Sequence, residues 1–191
     1  MGIEFELKYA ATAADLQRLK ERFPGLRPIA METTYYDNEN GDFSRLKWTF
    51  RRRMENEKSI CTLKTPMEGL GRAECEVECG NIDDAIPLLI EQGAPKRLLL
   101  LTLPGIAPSC GARFTRLAGL LEIPGGKVEL ALDEGVLLGG GKELPFTEVE
   151  VELKDGSEEA VTAFAAALAA EYGLKPEHKS KVARARQLAQ K

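Results

Sequence analysis

Two short stretches of alternating charge, Glu4-Phe5-Glu6-Leu7-Lys8 and Glu148-Val149-Glu150-Val151-Glu152-Leu153, constrain this fold more than anything else in the sequence. A period of two belongs to an extended strand, whose successive side chains point to opposite faces. Glu4, Glu6 and Lys8 then share one face, and Phe5 and Leu7 the other. The same parity recurs between them. Strands expected at 47–53, 59–65, 72–79, 113–122 and 127–133 put Arg51, Arg53, Thr62, Lys64, Arg72, Glu74, Glu76, Glu78, Arg116, Glu129 and Asp133 on the charged face. The opposite face carries Cys61, Leu63, Cys75, Val77, Leu130, Leu132, Val149 and Val151. For one strand a solvated face is sufficient explanation. For all of them it is not, because Glu148, Glu150 and Glu152 repel one another unless cations lie among them, and a sheet this wide closes or is covered on both faces. The expectation is an α+β fold: a closed antiparallel barrel, charged inside, with helices packed outside.

Helices punctuate the strands. Thr12 and Asp15 form a capping-box start for a helix through Leu16, Leu19 and Phe23 that stops before Pro24-Gly25. Asn81 or Asp83 caps a second, to about Gln92, and Ser157 caps an alanine-rich third that Gly173 ends. A short basic helix is expected from Ser180 to Gln190. The run 98–103 is too short to assign as strand or helix. Turns fall at 37–42, at 55–57, around Gly69 and Gly71, at Pro124-Gly125-Gly126 and at Gly139-Gly140-Gly141. The order suggests two related halves within one domain spanning residues 1–191.

Composition narrows the function. Net charge is −4, from 26 basic and 30 acidic residues, which argues against nucleic acid or an anionic membrane as partner. No stretch approaches the roughly 18 apolar residues of a membrane span, and no signal peptide opens the chain, so a cytoplasmic location is expected. Cys61, Cys75, Cys79 and Cys110 lack C-x-x-C spacing and His178 is the only histidine, so they read as free thiols and not as a zinc site.

A charged interior of this composition suits one kind of ligand. Arginines and lysines converging from several strands bind phosphate through charge-assisted hydrogen bonds. Carboxylates without histidine or cysteine select hard divalent cations, Mg²⁺ or Mn²⁺. A polyanion with its metal ion satisfies both. Gly141-Lys142 is followed by Glu143 and is not a Walker A loop.

The N-terminal Glu4-x-Glu6-x-Lys8 resembles the E-x-E-x-K signature of the CYTH superfamily, the triphosphate tunnel metalloenzymes. Further matches follow in order: Thr34-Tyr35-Tyr36-Asp37, Arg51-x-Arg53, Thr62-Leu63-Lys64, Arg72-Ala73-Glu74-Cys75-Glu76, Leu132-Asp133-Glu134-Gly135, the Glu148 to Glu152 ladder, and Lys179-Ser180-Lys181. The resemblance implies an eight-stranded tunnel that binds a linear triphosphate and a divalent metal. It implies metal ligands at Glu4, Glu6, Glu150 and Glu152, assisted by Asp133 and Glu148. Phosphate contacts would come from Lys8, Arg51, Arg53, Lys64, Arg72, Arg116 and Lys181, and Glu74 and Glu76 are expected with them among the substrate-binding residues. Ala118 and Asn38 depart from the family pattern, which favours a base and a threonine there.

The function expected is metal-dependent hydrolysis of a triphosphate, inorganic triphosphate first, with Glu4, Glu6, Lys8, Glu150 and Glu152 at the reaction centre. Thiamine triphosphatase and class IV adenylyl cyclase share the scaffold. A non-catalytic polyphosphate- or nucleotide-binding module would keep the bases and lose the acids. A homodimer is the default assembly.

Overall fold

The computed structural model describes residues 2–68 and 71–190, so Gly69 of the turn expected there lies outside them. Among the described residues, ten strands form one antiparallel sheet: β1 (Gly2–Glu4), β2 (Glu6–Ala10), β3 (Arg27–Asp37), β4 (Thr49–Glu55), β5 (Lys58–Pro66), β6 (Arg72–Glu78), β7 (Ala107–Ile123), β8 (Gly126–Gly139), β9 (Lys142–Gly156) and β10 (Lys175–Pro176). Their order is β1-β6-β5-β4-β3-β7-β8-β9-β2-β10. The two expected halves are therefore one sheet, joined along β3 and β7.

This sheet is not the closed barrel that the alternation suggested, with the eight strands that the family resemblance implied. Its hydrogen-bonded order runs open from β1 to β10. The physical reason lies at Phe5, where the expected first strand is interrupted. Glu4 pairs with Arg72 on β6, whereas Glu6 pairs with Glu152 on β9. The Phe5 carbonyl accepts from the Leu153 amide at 2.9 Å, and its ring is buried. Chain connectivity through one residue, and no ladder, brings the two sides of the sheet together.

The apolar face carries two cores. In one, Leu16 and Leu19 of α1 (Ala13–Arg22) and Val161, Ala165 and Leu168 of α5 (Glu158–Tyr172) cover Val128, Leu130, Val149 and Val151. In the other, α2 (Asp42–Arg45), α3 (Ile82–Glu91) and α4 (Arg97–Thr102) cover Phe50, Cys61, Leu63 and Cys75. The run left open at 98–103 is helical because Leu98 and Leu101, three apart, both bury here. All four cysteines are free, and Cys61 and Cys75 are buried as expected. No helix among the described residues is long and apolar enough to cross a membrane.

The sixth helix, α6 (Lys181–Ala189), corrects the expectation that every helix packs outside. It lies on the charged side of the sheet, where Ala112, Phe114, Leu137 and Phe146 make an apolar landing for Ala185. Gly139 lets it approach, since a Cβ there would stand 2.3 Å from the Ala185 carbonyl oxygen.

Candidate active site

The charged face encloses a cavity of about 320 Å³. Parity delivers its lining. Glu4, Glu6, Lys8, Arg51, Arg53, Lys64, Arg72, Glu74, Glu76, Arg116, Glu150 and Glu152 all face it, from strands on both sides of the sheet order, and α6 adds Lys181. Asp133 and Glu148 do not line it; both are fully buried behind the wall. Glu129, which the alternation placed on the charged face without a role and which pairs with Glu152 across β8 and β9, also faces the cavity, as does Lys154, which the sequence reading did not name. Thr33, Tyr35, Thr49 and Phe114 contribute from positions of the same parity.

Two walls of different character result. On one, Lys64 bonds Glu4 and stands 3.4 Å from Glu74, while Arg51 lies 3.9 Å from Glu74. Arg53 pairs with Glu55 and approaches Glu76 at 3.8 Å. Arg72 donates to the Lys47 carbonyl at 3.0 Å and to the Thr49 hydroxyl at 3.2 Å. Lys8 donates to Glu6 at 2.9 Å; burial pulls its pKa down, and Glu6 more than offsets this, so the ammonium is held above its ordinary range. Burial depresses Arg53 and Arg72, and the neighbouring Arg51 adds to the effect at both. Glu152 is raised, first by burial and further by Glu4 and Glu129, although Lys154 at 2.7 Å works against this. The buried Oε2 of Glu4 has no hydrogen-bond partner.

The opposite wall is a compact ionic cluster. One oxygen each of Asp133, Glu148 and Glu150 lie within 4.8 Å of one another, a spacing compatible with a metal ion. Protein cations already sit among them. Arg116 donates from Nε and Nη2 to Asp133 at 2.8 and 2.7 Å, and from Nη2 to Glu150. Lys181 stands 2.8 Å from Asp133 and 2.6 Å from Glu150 and also bonds Glu148. Arg184 bonds the other oxygen of Glu148. Burial pushes Glu148 up to about 7, whereas Lys181 and Arg116 overcome burial at Glu150 and hold it well below the usual range. Sequence reading missed Arg184. Its signal was present, since it follows Lys181 by three residues on one helix face.

The two departures from the family pattern are structural. Ala118 is buried, and Asn38 holds its loop by donating to Asp42 at 2.8 Å and to the Leu101 carbonyl at 2.9 Å.

Residues 2–185 match the CYTH domain, and the chain belongs to that family. A curated relative, an inorganic triphosphatase of Haemophilus influenzae, is 28% identical over 167 residues, 81% of this chain and 46% of that protein. The chain thus spans about half the length of the relative it matches. Among solved structures, HpAC1 from Hippeastrum, described as having a dominant triphosphatase activity, superposes with a TM-score of 0.72 at 19% identity, covering 98% of this chain and 96% of that one. A Pyrococcus horikoshii protein follows the same fold with a TM-score of 0.67 at 24% identity, over 98% and 99% of the two chains.

Proposed function

We propose that the chain is a divalent-metal-dependent hydrolase of linear triphosphates, with inorganic triphosphate as its first substrate. The observation that carries this reading is the cavity itself, in which arginines and lysines from several strands face a group of glutamates. CYTH membership and the curated inorganic triphosphatase relative support it.

The donor set fits a hard cation. Neither cysteine nor histidine lines the cavity among the described residues, and the partnerless buried Oε2 of Glu4 is a ligand atom in waiting. Glu4, Glu6 and Glu152 would hold the ion. When bound, Mg²⁺ or Mn²⁺ supplies charge neutralisation at phosphate oxygens and a polarised water. The chain's own contribution is placement. Arg51, Arg53, Arg72 and Arg116 fix the phosphates along the cavity, and Lys8 and Lys64 neutralise charge beside the glutamates. Phosphoryl transfer needs little covalent participation from the protein, so positioning and fixed charge supply the acceleration.

One observation favours a second substrate class. Trp48 lies in the apolar core, edge-on to Phe43 at 6.4 Å, yet it also lines a side cavity of about 310 Å³ with Lys47 and Met67. That cavity shares Thr49, Arg72, Ser180 and Val182 with the first. It would suit an organic group at one end of the triphosphate, as in a nucleotide or thiamine triphosphate.

The test is phosphate release from triphosphate, thiamine triphosphate, ATP and longer polyphosphate with Mg²⁺, Mn²⁺ or Ca²⁺, with pyrophosphate and cyclic AMP measured in parallel. Triphosphate hydrolysis that needs metal and is abolished by Glu6→Gln is expected. Wild-type turnover by that variant at limiting Mg²⁺ would defeat the reading, and cyclic AMP as main product would replace it with a cyclase.

A further inference from the structure

The cluster beneath the α6 wall contains three carboxylates and three cations, and all six carboxylate oxygens are occupied. Asp133 receives Arg116 on both oxygens and Lys181 on one; Glu150 receives Lys181 and Arg116; Glu148 receives Lys181 and Arg184. Formal charge cancels within the cluster. An added divalent ion would have to displace the buried Lys181 and the half-buried Arg116 or Arg184, and Asp133 and Glu148 have no face on the cavity from which to bind it. Glu4 differs on both counts, being at the cavity with an oxygen to spare.

Lys181 has three ammonium protons, and three carboxylates meet it. Arg116 commits Nε and Nη2 to Asp133 and Glu150, which leaves Nη1 as the part of its fork without a carboxylate. The carboxylates therefore fix where both cations stand. Arg184 reaches Glu148 from beside the Phe146 ring, 5.5 Å from its centroid, and also lies 3.6 Å from Glu177. It compensates Glu148 independently of Lys181. This lets Lys181 exchange its Glu148 contact for a phosphate oxygen without leaving a buried carboxylate unpaired.

We propose that Asp133, Glu148 and Arg184 are positioning residues that set Lys181 and Arg116 for phosphate, and that Asp133 and Glu148 are not metal ligands. This rests on reading the cavity as a triphosphate site. The test separates anion binding from metal binding in the full chain. Triphosphate binding is measured by calorimetry in EDTA, Mn²⁺ binding by electron paramagnetic resonance without triphosphate, and KM and kcat with metal present.

Arg184→Gln should weaken metal-free triphosphate binding on the order of tenfold, the scale at which outer partners of a site act. It should raise KM more than it lowers kcat, and Arg184→Lys should recover most of the loss. Mn²⁺ affinity should stay at the wild-type value in Arg184→Gln and Glu148→Gln and fall in Glu4→Gln. Should Arg184→Gln not fold, the charge-balanced Glu148→Gln/Arg184→Gln double variant takes its place, with the same expectation. Lost Mn²⁺ binding in Glu148→Gln, or unchanged triphosphate binding in Arg184→Gln or in the double variant that replaces it, overturns the assignment. A wild-type chain that binds no triphosphate would instead defeat the underlying reading of the cavity.

Discussion

Glu4 presents its two carboxylate oxygens to different surroundings. Lys64 neutralises one oxygen, and the other is buried without a partner. Lys64→Met removes the cation and leaves a buried charge uncompensated, an effect on the order of 3 kcal/mol in metal-free buffer. An ion that binds only the folded chain at Glu4 would return part of that loss by linkage. Saturating Mg²⁺ should therefore raise the melting temperature of Lys64→Met more than that of the wild type, as read by thermal unfolding with and without EDTA. Equal rises would show that Glu4 does not face the ion. The face on which Glu4 stands was legible from alternation alone. Its partner was not, because Lys64 is 60 residues away and register between distant strands is set by tertiary pairing. The break at Phe5 was hidden for the same reason: nothing local distinguishes a strand that serves one ladder from one that serves two.

Elements with local punctuation were the most legible. Thr12, Asn81, Ser157 and Ser180 cap four helices through their own side chains; Thr12 and Ser157 were the caps expected, Asn81 was one of two candidates beside Asp83, and Ser180 was expected only as the start of its helix. At α1, Asp15 accepts from the Thr12 amide at 2.9 Å and hydroxyl at 2.7 Å, and from Arg18 at 2.8 Å, which lowers its pKa to about 2. The folded value lies below the unfolded one, so this stabilisation is complete above the ordinary carboxylate range and is lost as pH falls toward 2. Asp15→Asn should cost about 1 kcal/mol at neutral pH, the usual worth of a cap. Urea unfolding should show that difference shrinking on acidification; a pH-independent difference would remove the charge from the explanation. Long strands were less legible, since β7 and β8 run well past the predicted spans of 113–122 and 127–133. Gly135 interrupts the alternation in β8 for a steric reason. A Cβ there would stand 2.3 Å from the Arg113 carbonyl oxygen and 2.5 Å from Phe114, whose ring meets Phe146 at 5.6 Å. Gly135→Ala should destabilise by about 1–3 kcal/mol in the same unfolding measurement, because backbone and a packed ring must both yield.

The placement of α6 on the charged side links stability of the whole sheet to the site. An antiparallel sheet with one wet face does not need such a helix, and the expectation was a short basic helix packed, like the others, outside the sheet. The helix belongs there because the sheet buries Asp133 and Glu148 completely, and of their cationic partners only Arg116 comes from the sheet itself. Ending the chain at Lys179 would remove both Lys181 and Arg184. Three carboxylates would then face one arginine in a poorly hydrated setting, where burial favours the protonated acids. The folded-state pKa values of Glu148 and Glu150 would rise above the unfolded ones, so the truncated chain should be most stable under acid conditions and lose stability as pH rises toward neutral. The full chain should not share that loss to the same degree, since Lys181 and Arg116 keep Glu150 ionised. Urea unfolding of both chains across this pH range is the measurement. If the truncated chain followed the full one in parallel, the ionic cluster would not be what ties α6 to the sheet, and the apolar landing of Ala185 on Phe114 and Phe146 would have to hold the helix by itself.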